Sequence, residues 1–246
     1  MIQMEVCANS VASALAAQKG GAIRVELCDN LQDGGTTPSY AQIKLAKELL
    51  KISVYPIIRP RGGDFLYSDL EFNLMRTDIE ICKSLNCDGV VFGILKADGS
   101  VDKERCAALI ALASPMKVTF HRAFDRCNNM EKALEDIIEI GCERILSSGG
   151  KVTALEGAEK LKTLLKLAAG RITIMPGAGV RENNVASIIA ITGATEFHAT
   201  AKRFVNSEMK FKNTEINMGA ADDEYSYELT DANMVKSLID KANGRP

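Results

Sequence analysis

The chain contains no tryptophan, only two histidines and few aromatic residues, 5% in all. Two imidazoles are too few for a histidine-rich catalytic metal cluster. None of the seven cysteines (Cys7, Cys28, Cys82, Cys87, Cys106, Cys127, Cys142) stands in a CxxC or CxH spacing, so a structural zinc site has no sequence support. Their number is odd, and the opening MIQMEVCANS lacks the basic segment and long apolar core of a secretory signal, which argues against a disulfide framework. The expectation is a cytosolic protein. No strong excess of one charge exists either: 30 Lys and Arg face 32 Asp and Glu, a net −2. That balance excludes the basic footprint of a nucleic-acid binder. No apolar run approaches the ~20 residues of a membrane helix, so no membrane partner is expected.

What is present is an alternation. Short β-like runs occur at 2–7, 22–28, 53–59, 89–93, 116–121, 144–148, 172–177 and 195–199. Between them lie stretches of helical period. ALEDIIEI at 133–140 puts Leu134, Ile137 and Ile138 on one face, and LEGAEKLKTLLKL at 155–167 aligns Leu155, Leu161, Leu164 and Leu165. Ser68-Asp69-Leu70-Glu71 reads as a capping box, and Gly20, Gly141 and Gly170 follow helical patterns. Successive strand ends lie between 21 residues (Cys7 to Cys28) and 34 residues (Arg59 to Gly93) apart. Each step holds one strand, one helix and two loops. Eight such units predict an α/β fold of the (β/α)₈ TIM-barrel type, as a single domain over 1–246. Strand eight falls near 195–199, a polar loop spans 206–228, and a final helix near 231–242 follows Thr230 as its cap.

Residues two apart in a strand share a face. Glu5 and Cys7 therefore oppose Met4 and Val6, and Glu26 and Cys28 oppose Val25 and Leu27. The outer face of a barrel strand lies under helices, where a bare carboxylate is very costly. The acids must face the lumen, and the two thiols with them, at the end where such barrels place their sites. The same parity puts Arg59, Arg61, His121, Ser148 and Gly177 on the inner face, with Glu196 and His198 closing the circle. The loops above are rich in glycine: Gly34-Gly35, Gly62-Gly63, Gly149-Gly150 and Gly177-Ala178-Gly179.

That cup admits two readings from residues alone. A small-molecule enzyme would hold a polar or anionic metabolite on Glu5, Arg59, Arg61, Ser148, Glu196 and His198. Glu26 and His121 would then be its catalytic acid/base candidates. Gly177 and Gly179 would offer backbone N–H groups to a phosphate at the start of the seventh helix. Phe65, Tyr67 and Phe72 are candidates for a lid. The bland alternative makes Glu5, Glu26 and Arg59 a structural charge network. Cys82, Cys87, Cys106 and Cys142 read most simply as small apolar fillers.

Eight blocks carry a further signal: MEVCANS (4–10), RVELCDNLQDGGTTPS (24–39), IIRPRGGDFLYS (57–68), GVVFG (89–93), TFHRAFD (119–125), RILSSGG (144–150), MPGAGV (175–180) and EFHATAKR (196–203). In this order they resemble the signature blocks of the CutC copper homeostasis family. The resemblance implies a cytoplasmic TIM-barrel homodimer that handles copper as Cu(I). It implies Cys7 and Cys28 as the copper ligands, and soft Cu(I) favours thiolate. Neighbouring strands lie ~4.8 Å apart, so thiols at matching heights would share one ion.

Overall fold

The computed structural model describes residues 1–213, 215–216, 218 and 224–245. Strands β1 (Gln3–Ala8), β2 (Arg24–Leu27), β3 (Ser53–Pro56) and β4 (Gly89–Phe92) alternate with helices α1 (Val11–Gly20), α2 (Tyr40–Leu49) and α3 (Asp69–Ser84). Helix α4 (Lys103–Ala113), β5 (Lys117–Phe120), α5 (Met130–Glu139), β6 (Arg144–Ser147), α6 (Ala158–Ala168), β7 (Thr173–Pro176), α7 (Val185–Thr192) and β8 (Glu196–Ala199) continue the pattern. All pairings among these eight strands are parallel, in the orders β3-β2-β1-β8 and β4-β5-β6-β7. One seam is crossed at Ile57–Val91, where the Ile58 amide donates to the Val91 carbonyl at 2.7 Å, and β7 lies against β8 at the other. The fold is a (β/α)₈ TIM barrel.

Strands β2, β4 and β6 are buried along their whole length and the other five beyond their first residue, because helices cover one face and lumen side chains fill the other. Met4, Val6, Val25, Leu27, Val54 and Val90 join the helices in the main apolar core. Cys7, Cys28, Tyr55, Ile57 and Val91 form a separate cluster inside the barrel. Parity thus places the residues as expected, with Glu5 and Glu26 on the lumen side.

Local chemistry starts and stops the helices. Ser68 and Glu71 form the reciprocal capping box of α3, and Asn129 caps α5, whose Leu134 and Ile137 are fully buried. Leu155 is an exception. It lies before α6 begins at Ala158 and is 41% exposed, so the predicted stripe starts one turn late. No helix among the described residues is long and apolar enough to cross a membrane.

The expected polar loop 206–228 needs correction at its ends. Two antiparallel strands, β9 (Lys202–Asn206) and β10 (Ser226–Thr230), form a ribbon there, while residues 214, 217 and 219–223 lie outside the described residues. The ribbon returns the chain to α1 through the Thr230 amide and Ser13 Oγ, 3.1 Å. Helix α8 (Ala232–Ala242) is capped by Asp231, whose carboxylate accepts from the Asn233 and Met234 amides. Thr230 is instead the last strand residue. Asn243 then binds both the amide and the carbonyl of Ile2, tying α8 to β1.

Candidate metal and ligand site at the barrel mouth

The lower lumen is a closed ion network. Glu5 on β1 accepts from Arg24 Nε on β2. Arg24 also reaches Glu196 on β8 at 2.6 Å, and its guanidinium lies 5.3 Å from the Tyr55 ring centre. Arg144 on β6 binds the same Glu196 at 2.8 Å and Glu143 at 2.6 Å. The Tyr55 hydroxyl closes the circuit by donating to Glu143 at 2.9 Å. Burial opposes ionisation of Glu5, yet Arg24 and His198 hold its carboxyl at about 2. Two arginines and three glutamates can share a lumen because each is held by at least one opposite charge.

One layer higher lies the thiol centre. Cys7 pairs in register with Glu26, so Cys28 stands two residues further along its strand direction. The matching heights expected for the two thiols are therefore not realised by the backbone. Their side chains nevertheless converge: Cys7 Sγ and Cys28 Sγ lie 3.4 Å apart, both buried and both free. His198, opposite Glu5 in the β1–β8 register, binds Glu5 through Nδ1 at 2.9 Å. Its Nε2 lies 3.6 Å from Glu26. Cys7, Glu26 and His198 each offer one donor atom within 4.8 Å of the others. The hydrogen bond from Cys28 outweighs burial and, with His198, pulls the Cys7 thiol down to about 5. Cys28 is pushed the other way, by donating that bond and then by burial. Burial, followed by the Cys7 charge, raises Glu26. For His198 burial is overcome by Cys7 and Glu5, which raise its affinity for a proton.

Above the thiols opens a cavity of about 740 Å³, floored by Cys7, Glu26 and His198 and walled by Arg59, Phe65 and His121. Arg59 is 5% exposed. Its guanidinium donates to the carbonyls of Asp33 (2.7 Å), Gly35 (2.8 Å) and Gly63 (2.9 Å), and it stacks 5.0 Å from the Phe65 ring centre. His121 caps the turn Arg122–Arg126: its Nδ1 accepts from the Ala123 amide at 3.3 Å. Burial and then the Arg59 charge lower this imidazole to about 3. With Nδ1 engaged as an acceptor, the neutral ring carries its proton on Nε2. His121 is thus a fixed donor, not a base tuned near neutrality.

Other predicted residues land elsewhere. Arg61 is not in the cup: it binds Glu71 at 2.6 Å and Asp64 at 3.1 Å and holds the Leu66 carbonyl, half exposed. Strand β3 ends at Pro56, so strand alternation does not reach residue 61. Ser148 is buried against Asp125, which also accepts from Ser147 Oγ and the Gly150 amide, and it faces this knot instead of the cavity. Gly177 serves packing, since a Cβ there would sit 2.4 Å from Leu146 Cδ1 in the lumen. Gly179 does border the cavity, but α7 starts only at Val185, so the pair does not open that helix. Glu196 belongs to the lower network. Phe65 reaches the cavity, whereas Tyr67 is buried and Phe72 packs under Arg105. Sequence reading passed over Arg24 and Arg144, although Arg24 shares strand parity with Glu26.

Fold and site together define a class: a TIM-barrel protein with a thiolate–imidazole centre and a small-molecule-sized chamber at the C-terminal end of its strands. The CutC family profile matches residues 2–203. A family protein CutC of Chromobacterium violaceum is 54% identical over 97% of this chain and 98% of its own. The copper homeostasis protein cutC homolog of Homo sapiens is 48% identical over 96% of this chain and 87% of its own. The crystal structure of CutC from Streptococcus agalactiae superposes with a TM-score of 0.78 at 38% identity, over 81% of this chain and 99% of that one. The chain belongs to the CutC family.

Proposed function

We propose that the protein handles copper, binding Cu(I) as cargo between Cys7 and Cys28 at the barrel mouth. The observation that carries this is the 3.4 Å approach of two free sulfurs on the cavity side of a closed ion network. Thiolates suit a soft monovalent ion, for which two ligands are enough. Cys7 is already a thiolate at neutral pH, so one ligand needs no deprotonation, and Cys28 releases its proton as metal arrives. His198 and Glu26 stand beside Cys7, each with a ligand atom within 4.8 Å, and can add a donor. Relatives named for copper homeostasis support the same reading. Seven free cysteines fit a reducing cytoplasm as the place of action.

The test is an anaerobic Cu(I) titration against a competing chromogenic chelator. The expected stoichiometry is one ion per wild-type chain, lost in the Cys7→Ser, Cys28→Ser double variant and kept in Cys106→Ser. A double variant that still holds one tight equivalent sinks the proposal. So does retention of Zn²⁺ in preference to Cu(I), which would place a harder ion on Cys7, Glu26 and His198.

A further inference from the structure

The chamber above the thiols is far larger than one metal ion requires: about 740 Å³ falls within the ~300–1,000 Å³ of small-molecule sites. Its walls hold two groups whose chemistry the protein leaves incomplete. Arg59 is a buried cation, and no described carboxylate pairs with it. Its three hydrogen bonds go to neutral carbonyls, leaving two of its five N–H groups; the neutral Tyr67 hydroxyl lies beside it, and Nε makes no hydrogen bond to any described residue. His121 Nε2 likewise has none. Buried charges are nearly always paired and buried donors satisfied, so both groups ask for acceptors. Arg59 and His121 both touch the Phe65 ring, 5.0 Å from the guanidinium and 4.9 Å from the imidazole, and the imidazole feels the Arg59 charge.

The rest of the lining mixes paired ions with apolar wall. Arg181 brings further positive charge to the chamber, while Arg122 and Lys202, which also line it, are paired with Asp125 at 2.8 Å and Glu228 at 2.6 Å. Of the two carboxyls there, Glu26 lies on the floor 3.6 Å from His198 Nε2, and Glu182 is held by Ser237 Oγ and by Lys241 at 3.7 Å. Leu31, Ile57, Leu146, Val180, Met234 and Leu238 supply apolar wall. We propose that this chamber binds a small organic oxyanion with an apolar body, its oxygens taken by the Arg59 guanidinium and the His121 Nε2–H. The shared chemistry is that of a carboxylate or a phosphate monoester. Arg59 supplies the charge that discriminates anion from neutral, and the ring N–H directs one oxygen. The site goes beyond copper binding, because neither group is a thiol ligand.

Calorimetric titration of the reduced, metal-free full chain tests it, with benzoate and phenyl phosphate as probes and benzyl alcohol as the uncharged match. At least one anion is expected to bind with Kd below about 1 mM, and benzyl alcohol at least about tenfold more weakly. The tighter anion names the ligand's head group. Arg59→Gln and His121→Phe should each weaken that anion about tenfold, the loss typical of a charge-assisted or buried hydrogen bond. Because Arg59 also ties the loops after β2 and β3 together, His121→Phe, with its melting transition checked, stands as the decisive variant. Cys28→Ser should keep the anion while losing copper, which separates the two proposals. Absence of binding by both anions at about 10 mM overturns the assignment, as does equal affinity for benzyl alcohol. An anion affinity unchanged in His121→Phe, or abolished in Cys28→Ser, overturns it as well.

Discussion

Two sets of buried charges occupy this barrel, one above the other, and they are built on opposite terms. In the lower lumen Arg24 and Arg144 lie between Glu5, Glu196 and Glu143, with Tyr55 and Met175 against them. Every ion there has an ionic partner. At the mouth Arg59 is as buried as Arg24, each 5% exposed, but its partners among the described residues are neutral: carbonyl oxygens, the Tyr67 hydroxyl and an aromatic face. Arg24 and Arg144 consume their charge within the fold, whereas Arg59 holds its charge in reserve beside a chamber. A self-satisfied network serves stability and alignment; an unbalanced one is what a ligand completes. The thiol centre sits at the boundary. Glu5 and His198 anchor it from below while Cys7 faces the cavity.

The comparison is broken or sharpened most strongly by Arg24→Met. Removing one partner of a buried network leaves Glu5 and Glu196 short of a counter-charge, and the expected loss is about 3–5 kcal/mol by urea unfolding. A loss near zero would mean that the lower network carries no more than the upper.

The second test uses pH. His121 is held at about 3 when folded against an ordinary 6.5, so the unfolded chain binds the extra proton below neutrality. Its contribution is complete above pH 6.5 and falls as acid is added, by about 2 kcal/mol between pH 7 and 5. His198, raised by Cys7 and Glu5 against its burial, is present in both chains, so its contribution cancels in the comparison. Stability curves for wild type and His121→Phe should therefore diverge between pH 7 and 5, the variant being flatter. Parallel curves would place His121 in a wetter setting than the chamber wall.

The smallest effect is expected at Arg61. Its pairs with Glu71 and Asp64 are solvent-screened, and Arg61→Ala should cost under about 1 kcal/mol. A larger loss would show the loop after β3 to be as charge-dependent as the lumen.

Much of this was legible in the residues. The β-branched runs and their spacing disclosed the eight strands, because strands covered on both faces are continuously apolar except where a lumen residue must be polar. The same alternation turned Glu5, Cys7 and Glu26 inward. It failed at Arg61, because a two-residue period means nothing once the strand ends at Pro56. It also missed β9 and β10, since KRFVN and SYELT are mostly polar and form a largely solvated ribbon with no apolar face to announce it. Arg24 went unremarked because a buried arginine is recognised only by its partners, which lie 19 and 172 residues away.

By itself the sequence determined the strands, their inward faces and the family to which the chain belongs, since all three depend on local period and residue type. Only the tertiary structure decided that Cys28, set higher in register than Cys7, still brings its sulfur to 3.4 Å, and that Arg59 has no carboxylate partner among the described residues. The physical reason is closure: side chains from strands far apart in the chain meet across one lumen, and strand register together with rotamer direction sets which of them touch.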